Sequence, residues 1–334
     1  MKAPAFWQIY PPTFMAKLLH PLSYITHNIT RYRLSKPRWK ASVPVICCGN
    51  LSVGGTGKTT LALDLGQYYQ QQGIKIAFLT RGYKRKKTCS NPILVDPNYH
   101  TVHDVGDEAL LLAQIAPTWV ASNRALSAQT AIKHGAQMLI MDDGFQNPSL
   151  YQDLPLLIID GGAGLGNHMA MPAGPLREAL QDGLLRAKAC ILIGDDQYQI
   201  RSILPQSLPV FQAYLEMNPE IHTLAGQQVI AFAGIGRPDK FFQSLQDNKL
   251  RLFKTFSFPD HYHYQDKDIY ILNNLRNRYN DISIVTTPKD YVKLPKTLQS
   301  NVIPLGVHLR WEDPMALQRL QALLNTTLVQ DAGG

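Results

Sequence analysis

The 334 residues are 45% hydrophobic and 17% charged, a composition that excludes general disorder, and at about 150 residues per domain the length favours two domains. Four cysteines are too few for a disulfide framework, and Cys47 and Cys48 sit side by side in an apolar run, so buried thiols in a reducing, cytosolic compartment are expected. A net charge of +8 points to an anionic partner, whether a phosphorylated substrate, a nucleic acid or an acidic membrane surface.

No stretch approaches the roughly 18 to 20 uninterrupted apolar residues of a membrane span. Gln8, Pro11, Pro12, Lys17 and His20 interrupt the first residues, which do not read as a secretory signal. Phe14, Leu18, Leu22, Ile25, Ile29 and Tyr32 then recur at three- or four-residue spacing and predict one apolar helical stripe, with Pro21 as a potential kink. Arg31, Arg33, Lys36, Arg38 and Lys40 follow, interleaved with Tyr32 and Trp39. Such a segment reads in two ways. It is an interfacial helix on an anionic leaflet, at roughly 1 kcal/mol per basic residue, or a helix packed on the domain beside a solvated charge run. Nucleic acid is the weaker partner, because no recognisable binding module accompanies the charge.

From about 43 to 193, short apolar runs (43–48, 75–79, 119–121, 137–141, 156–159 and 189–193) alternate with amphipathic stretches. The rhythm predicts an α/β fold with a doubly wound, mostly parallel sheet, whose ligands bind beyond the carboxyl ends of the strands. A second series follows, with strands at 229–233, 252–256 and 282–286 and helices at 239–246 and 266–278, and predicts a smaller α/β domain. The expected division is a membrane-associating segment over 1–40, a P-loop domain over 41–215 and a C-terminal domain over 216–334.

The first strand leads into Ser52, Val53, Gly54, Gly55, Thr56, Gly57, Lys58, Thr59 and Thr60, and a helix-compatible stretch follows. Between a strand and a helix this is a phosphate-binding loop of the P-loop NTPase kind, although Ser52 stands where the usual pattern has its first glycine. Glycines let backbone N–H groups turn toward phosphates, the helix N-terminus adds its dipole, Lys58 reaches the terminal phosphates and the Thr59 hydroxyl suits Mg2+. Further on, an apolar strand ends in Asp142 and Asp143, the arrangement that holds Mg2+ beside such a loop. Adjacent strand residues point to opposite faces, so the spacing does not choose between them. Asn248-Lys249-Leu250 and Thr287-Pro288-Lys289-Asp290 do not fit a guanine-reading motif, which favours ATP. Gly162-Ala163-Gly164-Leu165-Gly166 hints at a second dinucleotide loop, but no strong helix pattern follows, and it reads as a loop leading to Pro172.

The string from Gly49 to Thr59, with Arg81-Gly82-Tyr83, Gly106-Asp107-Glu108, Asp142-Asp143-Gly144-Phe145-Gln146, the run from Pro172 to Glu178, and Phe258-Pro259-Asp260-His261, resembles the tetraacyldisaccharide 4'-kinase family in motif and order. The resemblance spans nearly the whole chain, including Leu18 to Ser23 near its start. It implies an ATP- and Mg2+-dependent kinase acting on an acylated glucosamine disaccharide 1-phosphate in lipid A biosynthesis, peripheral to the cytoplasmic face of the bacterial inner membrane, with no protein partner. It also implies that Asp107 and His261 act together near the acceptor hydroxyl, and that Arg81, Gln146 and Arg177 serve substrate or phosphate. From the residues alone, Asp107 reads as a helix-capping acid, His261 as a loop histidine and Arg177 as a surface arginine. Thr60, Lys84, Ala109, Asn147 and Ala179 depart from the family's usual Pro, Gly, Pro, His and Pro. Two other functions compete: a P-loop phosphotransferase or ligase with a soluble substrate, and a non-catalytic, membrane-peripheral ATP switch.

Overall fold

A computed structural model describes residues 3–83, 85, 91–279 and 281–332, with side chains to residue 327; Lys84 and Cys89 fall outside the described residues. The strands are β1 (Val45–Gly49), β2 (Ile76–Thr80), β3 (Ile93–Leu94), β4 (Thr118–Val120), β5 (Met138–Asp142), β6 (Leu154–Asp160), β7 (Ala189–Ile193), β8 (Val210–Met217), β9 (Gln228–Ala233), β10 (Arg251–Ser257), β11 (Ser283–Thr286), β12 (Val302–Pro304) and β13 (Val307–Trp311). Nine form one sheet in the order β13-β8-β7-β6-β1-β5-β2-β4-β3, and four form a second in the order β10-β9-β11-β12. Only the two edge strands of the large sheet run antiparallel to their neighbours. The doubly wound expectation holds. β1 lies between β6 and β5, and the chain builds first on the β5 side and then on the β6 side. Strand order therefore reverses at β1, which places a crevice at its carboxyl end.

Parallel strands covered on both faces read as continuous apolar runs. β1, β2, β5 and β7 are buried at every position. One face is covered by Leu61, Ala62, Leu65 and Tyr69 of the helix Lys58–Gln71 and by Ala316, Leu320 and Leu324 of the helix Ala316–Ala332. The other is covered by Ala128 and Ala131 of the helix Arg124–Lys133, Leu184 of Leu180–Arg186, and Ile200. A fully buried side chain of the size of Phe78 contributes roughly 1.5–3 kcal/mol relative to exposure, so these two layers are the main store of stability. Cys47, Cys48 and Cys190 are buried free thiols.

The sheet pairing draws the far end of the smaller unit differently from the expected 216–334. β8 belongs to the large sheet as far as Met217, and β13 returns to pair with it, Val307 opposite Met217 through Trp311 opposite Ala213. The helix Ala316–Ala332 then packs in the first core, so the smaller unit is an insertion carrying β9 to β12 rather than the whole stretch from 216 to 334. The returning edge is fixed by Asp64 in the helix after the phosphate loop, whose carboxylate accepts from Leu309 N at 2.6 Å. Phe241, Phe242 and Leu245 cover one face of the small sheet and Leu272 the other.

The N-terminal helix Phe14–Leu34 runs through Pro21 and settles which side of its stripe is docked. Ala16 and Ser23 are its buried residues, whereas Phe14, Leu18, Leu22, Ile25, Ile29 and Tyr32 are all more than half exposed. At 3.6 residues per turn Ser23 lies on the opposite side from Phe14 and Tyr32. Small and polar residues therefore face the protein and the apolar stripe faces out.

Candidate active site

The crevice at the end of β1 holds the phosphate-loop residues. Val53, Gly54 and Gly55 are exposed, and no atom lies within 4 Å of where a Cβ on Gly54 or Gly55 would be, which leaves room for backbone to approach a ligand. Gly57 caps the helix Lys58–Gln71 at φ +85°, a left-handed conformation that an L side chain rarely adopts, and its Cβ would stand 2.6 Å from Ile193 Cδ1. The loop is strapped from outside: Val53 N donates to Pro175 O at 2.9 Å, Arg177 N donates to Leu51 O at 2.7 Å, and Ser52 bridges to Leu176. Thr60 lies in the first turn of that helix.

Asp142 and Asp143 take different partners. Asp142, the last residue of β5, is fully buried and accepts the Thr59 hydroxyl at 3.1 Å through Oδ2, while its Oδ1 has no protein partner. Asp143 leaves the strand at φ +50° and pairs with Lys58 Nζ at 3.7 Å and Arg177 Nη1 at 2.8 Å. Burial, then the charges of Glu108 and Asp143, push the Asp142 carboxyl up to about 7. Burial also acts upward on Asp143, but Lys58 and Arg177 outweigh it and hold that carboxyl low. A carboxyl raised above its unfolded value of about 3.9 costs stability increasingly between that value and about 7. Asp142→Asn is therefore expected to raise the Tm of the nucleotide-free protein by roughly 2–5 °C at pH 8, with a smaller gain at pH 5. Equal gains at both pH values in thermal melts would overturn the assignment.

Asp107 and His261 meet, although one follows the large sheet's early strands and the other belongs to the inserted unit. His261 Nδ1 lies 2.8 Å from Asp107 Oδ2. Gly106, at φ +88° with Tyr83 O 2.8 Å from its would-be Cβ, lets the helix Asp107–Leu112 start hard against the Gly82-Tyr83 turn. Tyr83 stacks edge-on against the His261 ring at 5.5 Å. Two lysines complete the cluster. Lys289 Nζ is 3.9 Å from Asp107 Oδ2, 3.3 Å from Glu108 Oε1 and 3.4 Å from His261 Nε2. Lys293 Nζ is 3.8 Å from the same Asp107 oxygen and 2.9 Å from Asp290 Oδ1. An ammonium has only protons to give, so Lys289 faces Nε2 as donor and leaves Nδ1 to donate to Asp107. Burial alone would raise the Asp107 carboxyl, but the His261 hydrogen bond and the two lysines outweigh it and hold it far below the usual range. That stabilisation is fully present above about pH 4 and is lost only as pH falls through the depressed folded value.

Of the other expected residues, Arg177 sits on Asp143, and Gln146 donates to Asn50 O at 2.9 Å and Glu178 Oε1 at 2.8 Å. Arg81 is exposed just beyond the end of β2. Asn147 closes a turn, its Oδ1 accepting from Ser149 N at 3.0 Å, Ser149 Oγ at 2.9 Å and Leu150 N at 3.2 Å. Sequence reasoning missed Lys289 and Lys293. It also missed Arg124, a buried guanidinium that donates to Ala121 O and that burial, then Arg81, lowers to about 10. The available signal was Thr287-Pro288-Lys289-Asp290, which failed as a guanine motif but carries Lys289 into this cluster.

Residues 15–325 match the family described as tetraacyldisaccharide-1-P 4'-kinase, LpxK. The tetraacyldisaccharide 4'-kinase of Gluconobacter oxydans (strain 621H) is 47% identical over 323 residues, covering 97% of this chain and 98% of that protein. The protein of the same name from Rhodospirillum rubrum is 43% identical over 326 residues, covering 96% and 97%. Among solved structures, LpxK from Aquifex aeolicus in complex with ATP matches with a TM-score of 0.74 and 28% identity, over 93% of this chain and 99% of that one.

Proposed function

The chain belongs to the tetraacyldisaccharide-1-P 4'-kinase family, and from that premise we propose that it transfers the γ-phosphoryl group of ATP to the 4'-hydroxyl of tetraacyldisaccharide 1-phosphate, forming lipid IVA. One observation carries the reading: Asp107, hydrogen-bonded to His261, is followed directly by Glu108, whose charge is felt at Asp142 beside Thr59. Groups suited to a hydroxyl acceptor thus stand near enough for their charge to act on groups suited to a phosphoryl donor. A nucleotide switch would have no use for the first set.

The large sheet's unit is assigned the nucleotide, and the inserted unit supplies His261, Lys289 and Lys293. In this assignment the backbone from Ser52 to Gly57 turns toward the phosphates and Lys58 faces the terminal ones. Thr59 and Asp142 fit Mg2+, because one hydroxyl and one carboxylate with a free buried oxygen suit an ion that keeps waters and shares phosphate oxygens. No cluster of three or more His, Cys, Asp or Glu that could hold a metal occurs among the described residues, which speaks against an all-protein cage. When bound, Mg2+ neutralises charge on the transferred group. Arg177 and Lys58 hold Asp143 ionised, and the Asp107–His261 unit relieves the attacking hydroxyl of its proton. Arg81 and Gln146 are assigned to substrate or phosphate.

The test is transfer of label from γ-labelled ATP to the acylated disaccharide 1-phosphate in detergent micelles. Mg2+-dependent labelling of the lipid is expected. ATP hydrolysis without transfer, or equal labelling of a soluble glucosamine acceptor, would sink the proposal.

No helix among the described residues is long and apolar enough to cross a membrane. The outward stripe, with Arg31, Arg33, Lys36 and Lys40 exposed at its end, supports a peripheral, monotopic site on the anionic cytoplasmic face of the inner membrane. Leu18→Glu with Ile25→Glu is expected to lower sedimentation with anionic vesicles roughly tenfold or more while leaving Tm nearly unchanged, since both side chains are already exposed. Undiminished sedimentation at low salt would remove the helix as anchor.

A further inference from the structure

The buried side of the N-terminal helix is tied to the segment that straps the phosphate loop. Ser23 Oγ donates to Ala170 O at 2.7 Å and accepts from Ala173 N at 3.0 Å. Thr26 Oγ1 donates to Met171 O at 2.6 Å, and Trp7 Nε1 donates to Pro172 O at 3.0 Å. Two residues beyond Ala173, Pro175 O accepts Val53 N, and Arg177 follows with its bonds to Leu51 O and Asp143. Ser23 is thus separated from the phosphate loop by one short, buried stretch of backbone. The stretch is closed on itself by Gly174 N donating to Ala170 O at 3.1 Å and Met171 N donating to Leu176 O at 2.7 Å, and Asn167 Nδ2 donates to Ala173 O at 2.9 Å, so Ser23 is a tie that reaches it from the N-terminal helix. Serine is a poorer helix former than alanine, so helix stability does not account for the hydroxyl.

We propose that Ser23 is a positioning residue for the phosphate loop: its hydroxyl sets residues 170–173, and through them Pro175 and Arg177, in the register that holds Val53 and Asp143. The proposal rests on the assignment of ATP to this loop. It makes the membrane-facing helix part of the nucleotide site, with the outward stripe meeting lipid and the inward hydroxyl meeting the strap. Removal of the whole helix would then disturb both at once, so single substitutions are the cleaner probe.

The experiment compares full-length wild type, Ser23→Ala and Ser23→Thr for ATP affinity without lipid, KM for ATP and for lipid acceptor, sedimentation with anionic vesicles, and Tm. Coupling through one shared segment predicts that Ser23→Ala weakens ATP affinity roughly five- to thirtyfold. KM for the lipid and vesicle sedimentation stay within about twofold, and Ser23→Thr, which keeps the hydroxyl, recovers most of the loss. If Ser23→Ala does not fold, Thr26→Val carries the test, with the same selective loss in smaller measure. ATP affinity within twofold of wild type, in whichever of these two variants folds, overturns the proposal. So does a loss of ATP affinity and vesicle binding in parallel. Wild-type protein that binds no ATP would instead remove the functional reading itself.

Discussion

Lys58→Ala is expected to lower kcat by roughly 10²-fold or more at saturating ATP and Mg2+, with little change in Tm. Lys58 opens the helix after the phosphate loop, and its ammonium lies 3.7 Å from Asp143 and 3.4 Å from Gly54 O. Neither contact is needed to hold the fold. Asp143 keeps Arg177 at 2.8 Å, and the loop keeps its strap through Val53 and Leu51. The loss falls on the phosphates, where a positive charge inside a crevice has no substitute from solvent. Lys58→Arg is expected to recover little, because a planar fork does not replace a compact ammonium. Near-normal turnover of folded Lys58→Ala would show that the loop does not serve the transferred phosphoryl group.

The parallel strands were legible because both of their faces are buried, so β1, β5 and β7 appear as unbroken apolar runs. The helix Asp266–Arg278 was legible from end to end, its boundaries marked by acids in the first turn and arginines in the last. β13 was not. As an antiparallel edge strand only its Leu309 is buried, and His308 and Arg310 break any apolar signal. Missing it moved the domain boundary, since nothing local announces that the chain returns to the first sheet.

The amphipathic helix shows a different limit. Its stripe was plain in the sequence, but periodicity says that two faces differ and not which of them is covered. The answer lies in Ser23 and Thr26, whose hydroxyls find carbonyls about 145 residues away. The acidic pair was ambiguous for a related reason. Period two separates Asp142 from Asp143 without orienting either, and the choice is made by the turn at Asp143 and by Thr59 reaching Asp142. Lys289 is the sharpest case. Its local string marks only a helix start, yet tertiary packing sets it against a carboxylate on a distant helix.

Asp107→Ala and His261→Ala are each expected to lower kcat by about 10²-fold or more, to leave ATP affinity largely intact, and to combine far less than multiplicatively. The expectation follows from the 2.8 Å bond between Nδ1 and Oδ2, which spans 154 positions of sequence and joins the two units. Removing either partner disables the other. Without Asp107 the imidazole loses what fixes its ring and tautomer. Without His261 the carboxylate is left to Lys289 and Lys293, which hold it ionised and make it a weak base. His261→Ala also removes the acceptor that faces Lys289 Nζ, freeing that ammonium to settle on Glu108 at 3.3 Å. His261→Gln, which restores polar atoms near Asp107 without an imidazole, is expected to leave turnover as low as in His261→Ala. Because the two residues act as one unit, either substitution is expected to remove the same limb of the wild-type pH–rate profile. Fully multiplicative losses in the double variant, or normal kcat in folded His261→Ala, would break the pair apart. Activation of the hydroxyl would then fall to Asp107 alone.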